Sequence, residues 1–179
     1  MPGRQYHPEQ APALALLWLL SDARNDAWLE ASLRALPEGS GFVFRHYHLD
    51  GDARRRRFDA LASLARARGH MVVLAGSGED WGADGTYGPP DRLGGGVRLA
   101  TAHGGDEMQA AIAAGADGIF LSPVFPTASH PGAETLGVYG FHVLAQQSPV
   151  PVIALGGMTR ARARELDWPR WGAIDGLAC

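Results

Sequence analysis

The sequence contains no lysine and only one cysteine, and both absences restrict its chemistry. All sixteen positively charged residues are arginine, which excludes a Schiff-base lysine, a catalytic lysine and a phosphate-binding lysine. The single cysteine, Cys179, excludes an intrachain disulfide and a zinc site built on cysteine ligands. The formal net charge of -3 argues against a protein that binds nucleic acid or a membrane surface through its overall charge.

Long hydrophobic segments are also absent. The longest apolar run, residues 11–20, is far short of the ~20 residues that a membrane-spanning helix needs. No basic segment followed by a small-residue cleavage site indicates a signal peptide, so a cytoplasmic protein is expected. The length of 179 residues suits one domain with a sizeable core. We therefore expect a loose N-terminus over residues 1–10 and a single domain over 11–179.

A glycine-rich pattern recurs along the chain. Gly82-Ala83-Asp84-Gly85 is repeated as Gly115-Ala116-Asp117-Gly118, and a related segment occupies residues 172–176. Glycine adopts the left-handed conformation that commonly ends a helix, so each copy is expected where a helix turns into a strand. The first two copies begin 33 residues apart, about the length of one strand–helix–strand unit. This spacing predicts a parallel sheet of successive units and not a solenoid.

Short continuous apolar runs are typical of strands buried on both faces. Eight such runs predict strands at 14–20, 41–45, 71–74, 85–87, 97–100, 118–121, 151–155 and 174–178. Apolar periodicity predicts helices at 26–36, 53–68, 106–114, 139–147 and 160–167. The sequence therefore predicts an α/β fold, a (β/α)8 TIM barrel. Its helices after the third and fourth strands are short or absent, and no final helix follows the eighth strand.

The loop after the sixth predicted strand combines prolines with polar side chains. Thr127, Ser129 and His130 offer two hydroxyls and an imidazole at a strand end, where barrels of this type carry their chemistry. These groups are suited to binding a diphosphate. Gly156 and Gly157 end the next strand and allow a phosphate to approach backbone amides. The alternatives are a proline-rich capping loop and an ordinary tight turn.

These two segments resemble the thiamine phosphate synthase/TenI family. Residues 122–130 read Ser-Pro-Val-Phe-Pro-Thr-Ala-Ser-His and are similar to the family's Gly-Pro-Val-Phe-Pro-Thr-x-Thr-Lys. Residues 153–158 read Ile-Ala-Leu-Gly-Gly-Met and are similar to Ala-Ile-Gly-Gly-Ile, which binds thiazole phosphate in the family. The resemblance covers nearly the whole chain, from about residue 14 to residue 178.

The resemblance implies roles for individual residues. Arg45 takes the place of an arginine that holds the diphosphorylated pyrimidine, and the Thr101-Ala102-His103 segment resembles the family's Ser-Thr-His. Asp91 matches a carboxylate that binds magnesium, so Mg²⁺ is the implied cofactor. By this resemblance the catalytic residues are Arg45, Ser129 and His130. The substrate- and phosphate-binding residues are Thr127, Gly156, Gly157 and His103, and the metal ligand is Asp91.

Several positions depart from the family pattern. The family's Asn-Asp pair after the third strand is replaced by Ala75 and Gly76, and Tyr47 stands where a lysine is usual. Tyr87 replaces a histidine, and His130 replaces a lysine. Pro123 occupies the position of the catalytic histidine in TenI-type thiazole tautomerases, so the resemblance does not imply tautomerase activity.

The implied activity is the joining of hydroxymethylpyrimidine diphosphate to thiazole phosphate, with release of pyrophosphate. The expected partners are these small phosphorylated substrates, without nucleic acid or membrane, and a homodimer is a further expectation. One alternative is a weakly active or inactive paralogue that binds a thiazole phosphate or a related phosphorylated ligand. Another is an enzyme that keeps only the fold and acts on a different phosphorylated substrate, such as an isomerase.

Two further patterns suggest other functions less strongly. His46 and His48 would share a face of an extended strand, but two histidines without a third ligand are weak evidence for a metal site. The run from Arg54 to Arg57 could bind nucleic acid, yet an arginine-rich outer helix face explains it more simply on an acidic chain.

Overall fold

Eight parallel strands form a closed barrel in which each strand pairs with its neighbours in the chain, and β8 pairs with β1. The computed structural model describes residues 12–76, 80–127, 132 and 134–177, so the expected loose terminus at 1–10 lies outside the described residues. The strands are β1 (Leu17–Leu20), β2 (Gly41–Phe44), β3 (Met71–Ala75), β4 (Gly85–Gly88), β5 (Val97–Ala102), β6 (Gly118–Leu121), β7 (Val152–Ala154) and β8 (Trp171–Ala173). The predicted (β/α)8 TIM barrel is confirmed.

The helices lie between the strands at the predicted places. They are α1 (Leu29–Ala35), α2 (Gly51–Ala67), α3 (Gly105–Ala113), α4 (Gly137–Ala145) and α5 (Arg160–Leu166). Short 3-10 turns occupy Asp26–Trp28 and Pro90–Arg92. Within the described residues no helix follows β3, and only a 3-10 turn follows β4, as predicted. None of the described helices is long and apolar enough to cross a membrane.

The core has two parts, separated by the barrel wall. Trp18, Tyr87 and Phe120 fill the barrel interior, with edge-to-face ring contacts at centroid distances of 5.6 Å and 5.2 Å. Trp18 fits there because β2 begins with glycine: a Cβ on Gly41 would lie 2.1 Å from the indole. The second part fills the space between strands and helices, with Phe44 packed edge-to-face against Phe58 of α2.

The repeated Gly-Ala-Asp-Gly segments begin β4 and β6. Asp84 pairs with Val72 and Asp117 pairs with Arg98 in the same way. The aspartate N–H donates to the carbonyl of its partner at 2.8 Å in both cases, and the aspartate carboxylate accepts the N–H of that partner. The second copy follows α3, as predicted. The first copy does not, because no helix lies between β3 and β4 in the described residues.

The prediction of the eighth strand at 174–178 is wrong, and so is the helix-to-strand turn at 172–176. The strand is Trp171–Ala173, and Gly172 lies inside it, paired with Trp18. A Cβ at position 172 would lie 3.0 Å from Leu20 Cδ1 and 3.1 Å from Trp18 Cβ. The glycine is therefore explained by close packing on β1, and the residues from Ile174 onward follow the strand end.

Candidate functional site

A cavity of about 690 Å³ opens where the strands end. Its lining residues come from β4, β5 and β8 and from the segments that follow β1, β2, β5, β6, β7 and β8. This is the end of the barrel where enzymes of the fold carry their active sites. The cavity is therefore the candidate active site.

Five of the eight residues predicted from the sequence line this cavity: Arg45, His103, Thr127, Gly156 and Gly157. Asp91 is exposed in the 3-10 turn after β4 and is not among the lining residues. Ser129 and His130 lie outside the described residues. The structure thus brings together residues from four different strand ends, separated by up to 112 positions in the chain.

Arg45 projects into the cavity from the end of β2 and shares a carboxylate with Arg24. Arg45 Nη2 lies 3.2 Å from Asp22 Oδ2, and Arg24 Nε lies 3.0 Å from Asp22 Oδ1. Although partial burial opposes ionisation of Asp22, hydrogen bonds from Arg24 and the charges of Arg24 and Arg45 hold the pKa of Asp22 below its ordinary value. One carboxylate therefore faces two guanidinium groups. Arg24 also lies 3.4 Å from Asp175 Oδ2.

Arg45 retains an unused donor. Its Nε is buried and has no hydrogen-bond partner among the described residues. A buried donor without a partner is costly. Arg45 lines the cavity and its side chain is 20% exposed, so the exposed part of its guanidinium is within reach of an anionic ligand.

The two glycines after β7 are required by the neighbouring loop, whatever they bind. Gly156 and Gly157 have φ values of 90° and 64°, which other residues rarely adopt. A Cβ on Gly156 would lie 2.6 Å from Pro123 Cα, and one on Gly157 would lie 2.4 Å from the Pro126 carbonyl oxygen. Phe125 N donates to the Gly156 carbonyl at 3.1 Å. This packing alone explains the glycines, so their presence does not by itself demonstrate phosphate binding.

Arg162 is a cavity residue that sequence reasoning missed. It lies in the first turn of α5, where Thr159 Oγ1 accepts its backbone N–H at 3.2 Å. Its Nη1 donates to the Gly157 carbonyl at 2.6 Å, and its guanidinium lies 5.1 Å from the centre of the Phe125 ring. Among the described residues no carboxylate pairs with it. A possible signal was its position, five residues after the second glycine.

Tyr87 and His103 complete the polar lining from β4 and β5. Burial raises the pKa of Tyr87 to about 12, so its hydroxyl remains protonated and can donate a hydrogen bond near neutral pH. His103 is exposed at the rim, where its N–H and Nδ1 both lie 2.8 Å from Glu107 Oε2. The hydrogen bond from His103 lowers the pKa of Glu107. His103 is thus partly engaged by the helix that follows it.

The described residues do not fit a magnesium ion held by the protein alone. Mg²⁺ is usually bound through one or two carboxylates together with substrate phosphates and water. Asp91 is exposed, and glycine stands at position 76, where the family resemblance expects an aspartate. Asp91 belongs to no group of three acidic or histidine side chains within 4.8 Å in the described part of the chain. A magnesium ion at Asp91 would take its other ligands from substrate and water.

Two of the four consecutive arginines near the start of α2, Arg54 and Arg57, make contacts within the protein. Arg54 donates to the carbonyls of Arg45 and Ala75 and stacks on Trp81 at 5.1 Å, while Arg57 pairs with Asp26 and Glu30. Arg55 and Arg56 are exposed. Two of the four arginines therefore hold α2 against its neighbours, and two lie on its outer face.

Residues 98–168 match a family model described as thiamine monophosphate synthase. This segment runs from β5 through α5 and includes Thr127, Gly156, Gly157 and Arg162. Over this segment the chain is similar to the thiamine phosphate synthase family. The matched segment does not include β1 to β4. The roles expected of Arg45 and Asp91 therefore rest on the short sequence motifs alone.

Individual curated proteins show the same similarity. The chain is 38% identical over 115 residues to a thiamine-phosphate synthase from Salinispora tropica, covering 59% of this chain and 52% of the relative. It is 35% identical over 78 residues to a thiamine-phosphate synthase from Anoxybacillus flavithermus, covering 42% of this chain and 36% of the relative. The chain therefore spans about a third to a half of the length of these curated relatives.

A solved structure supports the fold over almost the whole length of the chain. A thiamine phosphate pyrophosphorylase from Pyrococcus furiosus superposes with a TM-score of 0.72 at 20% identity. The superposition covers 89% of this chain and 85% of that chain. At 20% identity this similarity establishes the barrel fold and does not establish an activity.

Proposed function

We propose that this protein joins hydroxymethylpyrimidine diphosphate to thiazole phosphate and releases pyrophosphate, as a thiamine phosphate synthase-type transferase. The observation that carries the proposal is Arg45, a cavity-lining guanidinium that shares the Asp22 carboxylate with a second cavity-lining arginine, Arg24. A third guanidinium, Arg162, lines the same cavity beside Gly156 and Gly157. Two separate cationic positions suit two phosphorylated substrates.

The reaction requires charge stabilisation and alignment. The bond between the pyrimidine methylene and the diphosphate oxygen breaks, and its electron pair leaves with the diphosphate. The thiazole nitrogen then forms the new C–N bond to the methylene. Donors aimed at the leaving oxygen lower the barrier because negative charge develops there. Holding the thiazole nitrogen in line with the methylene removes much of the entropic cost.

We assign the diphosphate to Arg45 and Arg24, which already share Asp22. An arriving diphosphate would compete with Asp22 for both guanidinium groups, since bidentate pairing with phosphate is a strong interaction of arginine. Ser129 and His130 stay predictions as further donors from the loop after β6. His103 stays a predicted binding residue at the rim.

We assign the thiazole phosphate to the other side of the cavity. Thr127, the two glycines and Arg162 lie together there, because the β6 loop packs on the β7 turn. Leu155 and Ile174 add apolar lining, which suits the exclusion of water from a reactive cation. Magnesium, when bound, would neutralise diphosphate charge, and Asp91 stays its predicted protein ligand.

The test is formation of thiamine phosphate from the two substrates in the presence of magnesium, with Arg45→Ala as the key variant. Loss of one such donor lowers kcat by roughly 100- to 1,000-fold in other enzymes, and we expect a loss of that order. The matched control is Arg56→Ala, which removes an exposed arginine outside the cavity. We expect wild-type turnover from the control.

The outcome decides between the proposed transferase and its alternatives. No turnover by well-folded wild-type protein would contradict the proposal. Equal turnover by wild type and Arg45→Ala would remove Arg45 from the mechanism. Repeating the assay with Asp91→Asn over a range of magnesium concentrations tests Asp91, since a ligand loss should raise the magnesium concentration required.

A further inference from the structure

A chain of buried polar groups lies directly behind Arg45. Ser21 Oγ is 2.7 Å from His46 Nδ1, and His46 Nε2 is 2.8 Å from Asp26 Oδ1. Ser21 and His46 are both fully buried. Asp26 is held in turn by Arg57, whose Nε donates to Asp26 Oδ1 at 2.8 Å. None of these residues lines the cavity, but Ser21 contacts the backbone of Arg45, which does.

The direction of each hydrogen bond follows from the chemistry of its members. Hydrogen bonds from His46 and Arg57 outweigh the effect of burial and lower the pKa of Asp26, so its carboxylate is ionised and only accepts. His46 therefore carries its proton on Nε2. Burial lowers the pKa of His46, which keeps the ring neutral and leaves a lone pair on Nδ1. The Ser21 hydroxyl donates to that lone pair.

This arrangement fixes the backbone of Arg45. The Ser21 hydroxyl donates its proton to His46, so a lone pair of Ser21 Oγ is left to accept a hydrogen bond. The Arg45 N–H donates to this oxygen at 2.7 Å. Asp22 meanwhile restrains the Arg45 guanidinium. Both restraints come from adjacent residues at the end of β1, so the base and the tip of the same side chain are positioned by one short segment.

The conformation of His46 indicates that its ring has a specific role. His46 has a φ of 32°, a left-handed conformation that costs a non-glycine residue about 1–3 kcal/mol. Glycine would adopt it more readily but would supply no hydrogen bond. The imidazole stacks on Phe44 at a centroid distance of 4.6 Å, which locks it on the helix-facing side while Arg45 faces the cavity.

We propose that Ser21, His46 and Asp26 form a relay of hydrogen bonds that positions Arg45 for the diphosphate. This inference rests on the proposed function for its ligand. The three residues are positioning residues, because they reach the substrate only through Arg45. Pre-organising a donor in this way raises its contribution to binding and to the transition state.

A metal centre is the competing interpretation of the same residues. Ligand atoms of Asp26, His46 and His48 lie within 4.8 Å of one another, and the His46 and His48 rings are 4.9 Å apart. However, both nitrogens of His46 are engaged and a guanidinium occupies Asp26. A cation would have to displace these bonds, which favours the relay.

The test combines a double-mutant cycle with hydrogen exchange, using the full chain and inorganic pyrophosphate as the probe. Ser21→Ala removes the acceptor of the Arg45 N–H, and His46→Phe removes both ring nitrogens while keeping the stack on Phe44. We expect both to accelerate exchange of the Arg45 amide and to weaken pyrophosphate binding roughly threefold to tenfold. His46→Asn, whose side-chain oxygen can accept the Ser21 hydroxyl proton, should restore most of the affinity.

The double-mutant cycle distinguishes a loss of Arg45 positioning from a general loss of protein stability. In an Arg45→Gln background, Ser21→Ala should cause no further loss of affinity, because coupled residues are not additive. The matched control is His70→Phe, which alters another buried histidine whose Nε2 bonds the Leu33 carbonyl. We expect it to leave both the Arg45 amide and the pyrophosphate affinity unchanged.

Three results would overturn the relay. They are additive losses in the cycle, unchanged exchange of the Arg45 amide in Ser21→Ala, and stoichiometric zinc binding that disappears in His48→Ala. If wild-type protein does not bind pyrophosphate, the proposed diphosphate site is wrong, and the exchange measurement alone then decides whether the relay positions Arg45.

Discussion

At the scale of single residues, the cavity is defined by its arginines. Arg24, Arg45 and Arg162 all line it, in a chain that has no lysine. Arginine is suited to this task because its planar guanidinium offers several donors to one phosphate group. Arg162 is the least compensated of the three, since it contacts carbonyl oxygens and an aromatic ring and no described carboxylate pairs with it.

Replacement of Arg162 by glutamine should weaken binding of the thiazole phosphate. We expect a rise in its Kd of at least about tenfold, the effect of losing a hydrogen bond from a charged donor. Isothermal titration calorimetry of wild type, Arg162→Gln and Arg164→Gln measures this directly. Arg164 is an exposed arginine on the same helix, and its variant should bind as wild type does. Equal affinity of all three proteins would contradict a ligand role for Arg162.

At the scale of elements, the two Gly-Ala-Asp-Gly segments show how strand starts are tied to the preceding strand. Asp84 and Asp117 make the same pair of hydrogen bonds to Val72 and Arg98. They differ in burial, because Asp84 is exposed and Asp117 is only 5% exposed. The same geometry should therefore contribute unequally to stability, since water competes for the exposed carboxylate of Asp84 and much less for the buried carboxylate of Asp117.

We expect Asp117→Ala to lower the free energy of unfolding more than Asp84→Ala does. Removing Asp117 leaves the Arg98 N–H without its acceptor in a partly buried position, and we expect a loss of about 1.5–3 kcal/mol in the free energy of unfolding. Urea unfolding of the two variants beside wild type provides the comparison. Equal losses, or a larger loss for Asp84→Ala, would show that burial does not determine the value of this bond.

At the scale of the whole molecule, ionisable groups around α1, α2 and the strand ends make stability depend on pH. Hydrogen bonds and charges from arginine and histidine partners lower the pKa values of Asp22, Asp26 and Glu30. Burial lowers the pKa of His46 below its ordinary value of 6.5. In each case the unfolded chain takes up a proton at higher pH than the folded protein does.

Stability should therefore fall in two stages as the pH decreases. The His46 contribution is complete above pH 6.5 and is lost as the pH falls from there towards the lower folded pKa. The carboxylate contributions are present above their ordinary values of 3.8 and 4.5 and are lost as the pH falls further. Urea unfolding across the pH range measures both stages. The His46→Asn variant should lack the first, and a wild type that gains stability below pH 6.5 would contradict this account.

Much of the barrel could be predicted from local patterns. Continuous apolar runs marked β2 to β7 to within two residues at each boundary, because burial on both faces leaves a strand no polar side. The left-handed glycine at Gly115 was likewise predictable from its place after a helix. The eighth strand was misplaced because Gly172 accommodates β1, and no local pattern reveals a contact between the two ends of the chain.

The sequence by itself thus determined the parallel barrel, its shortened helices and the two segments after β6 and β7 that carry the family likeness. Only the tertiary structure decided which side chains meet. It placed Arg162 beside Gly157, left Asp91 outside the cavity lining, and joined Ser21 and Asp26 to His46 behind Arg45. The physical reason is that a strand is specified by the burial of its own residues, whereas a site depends on the distances between segments that only the closed barrel brings together.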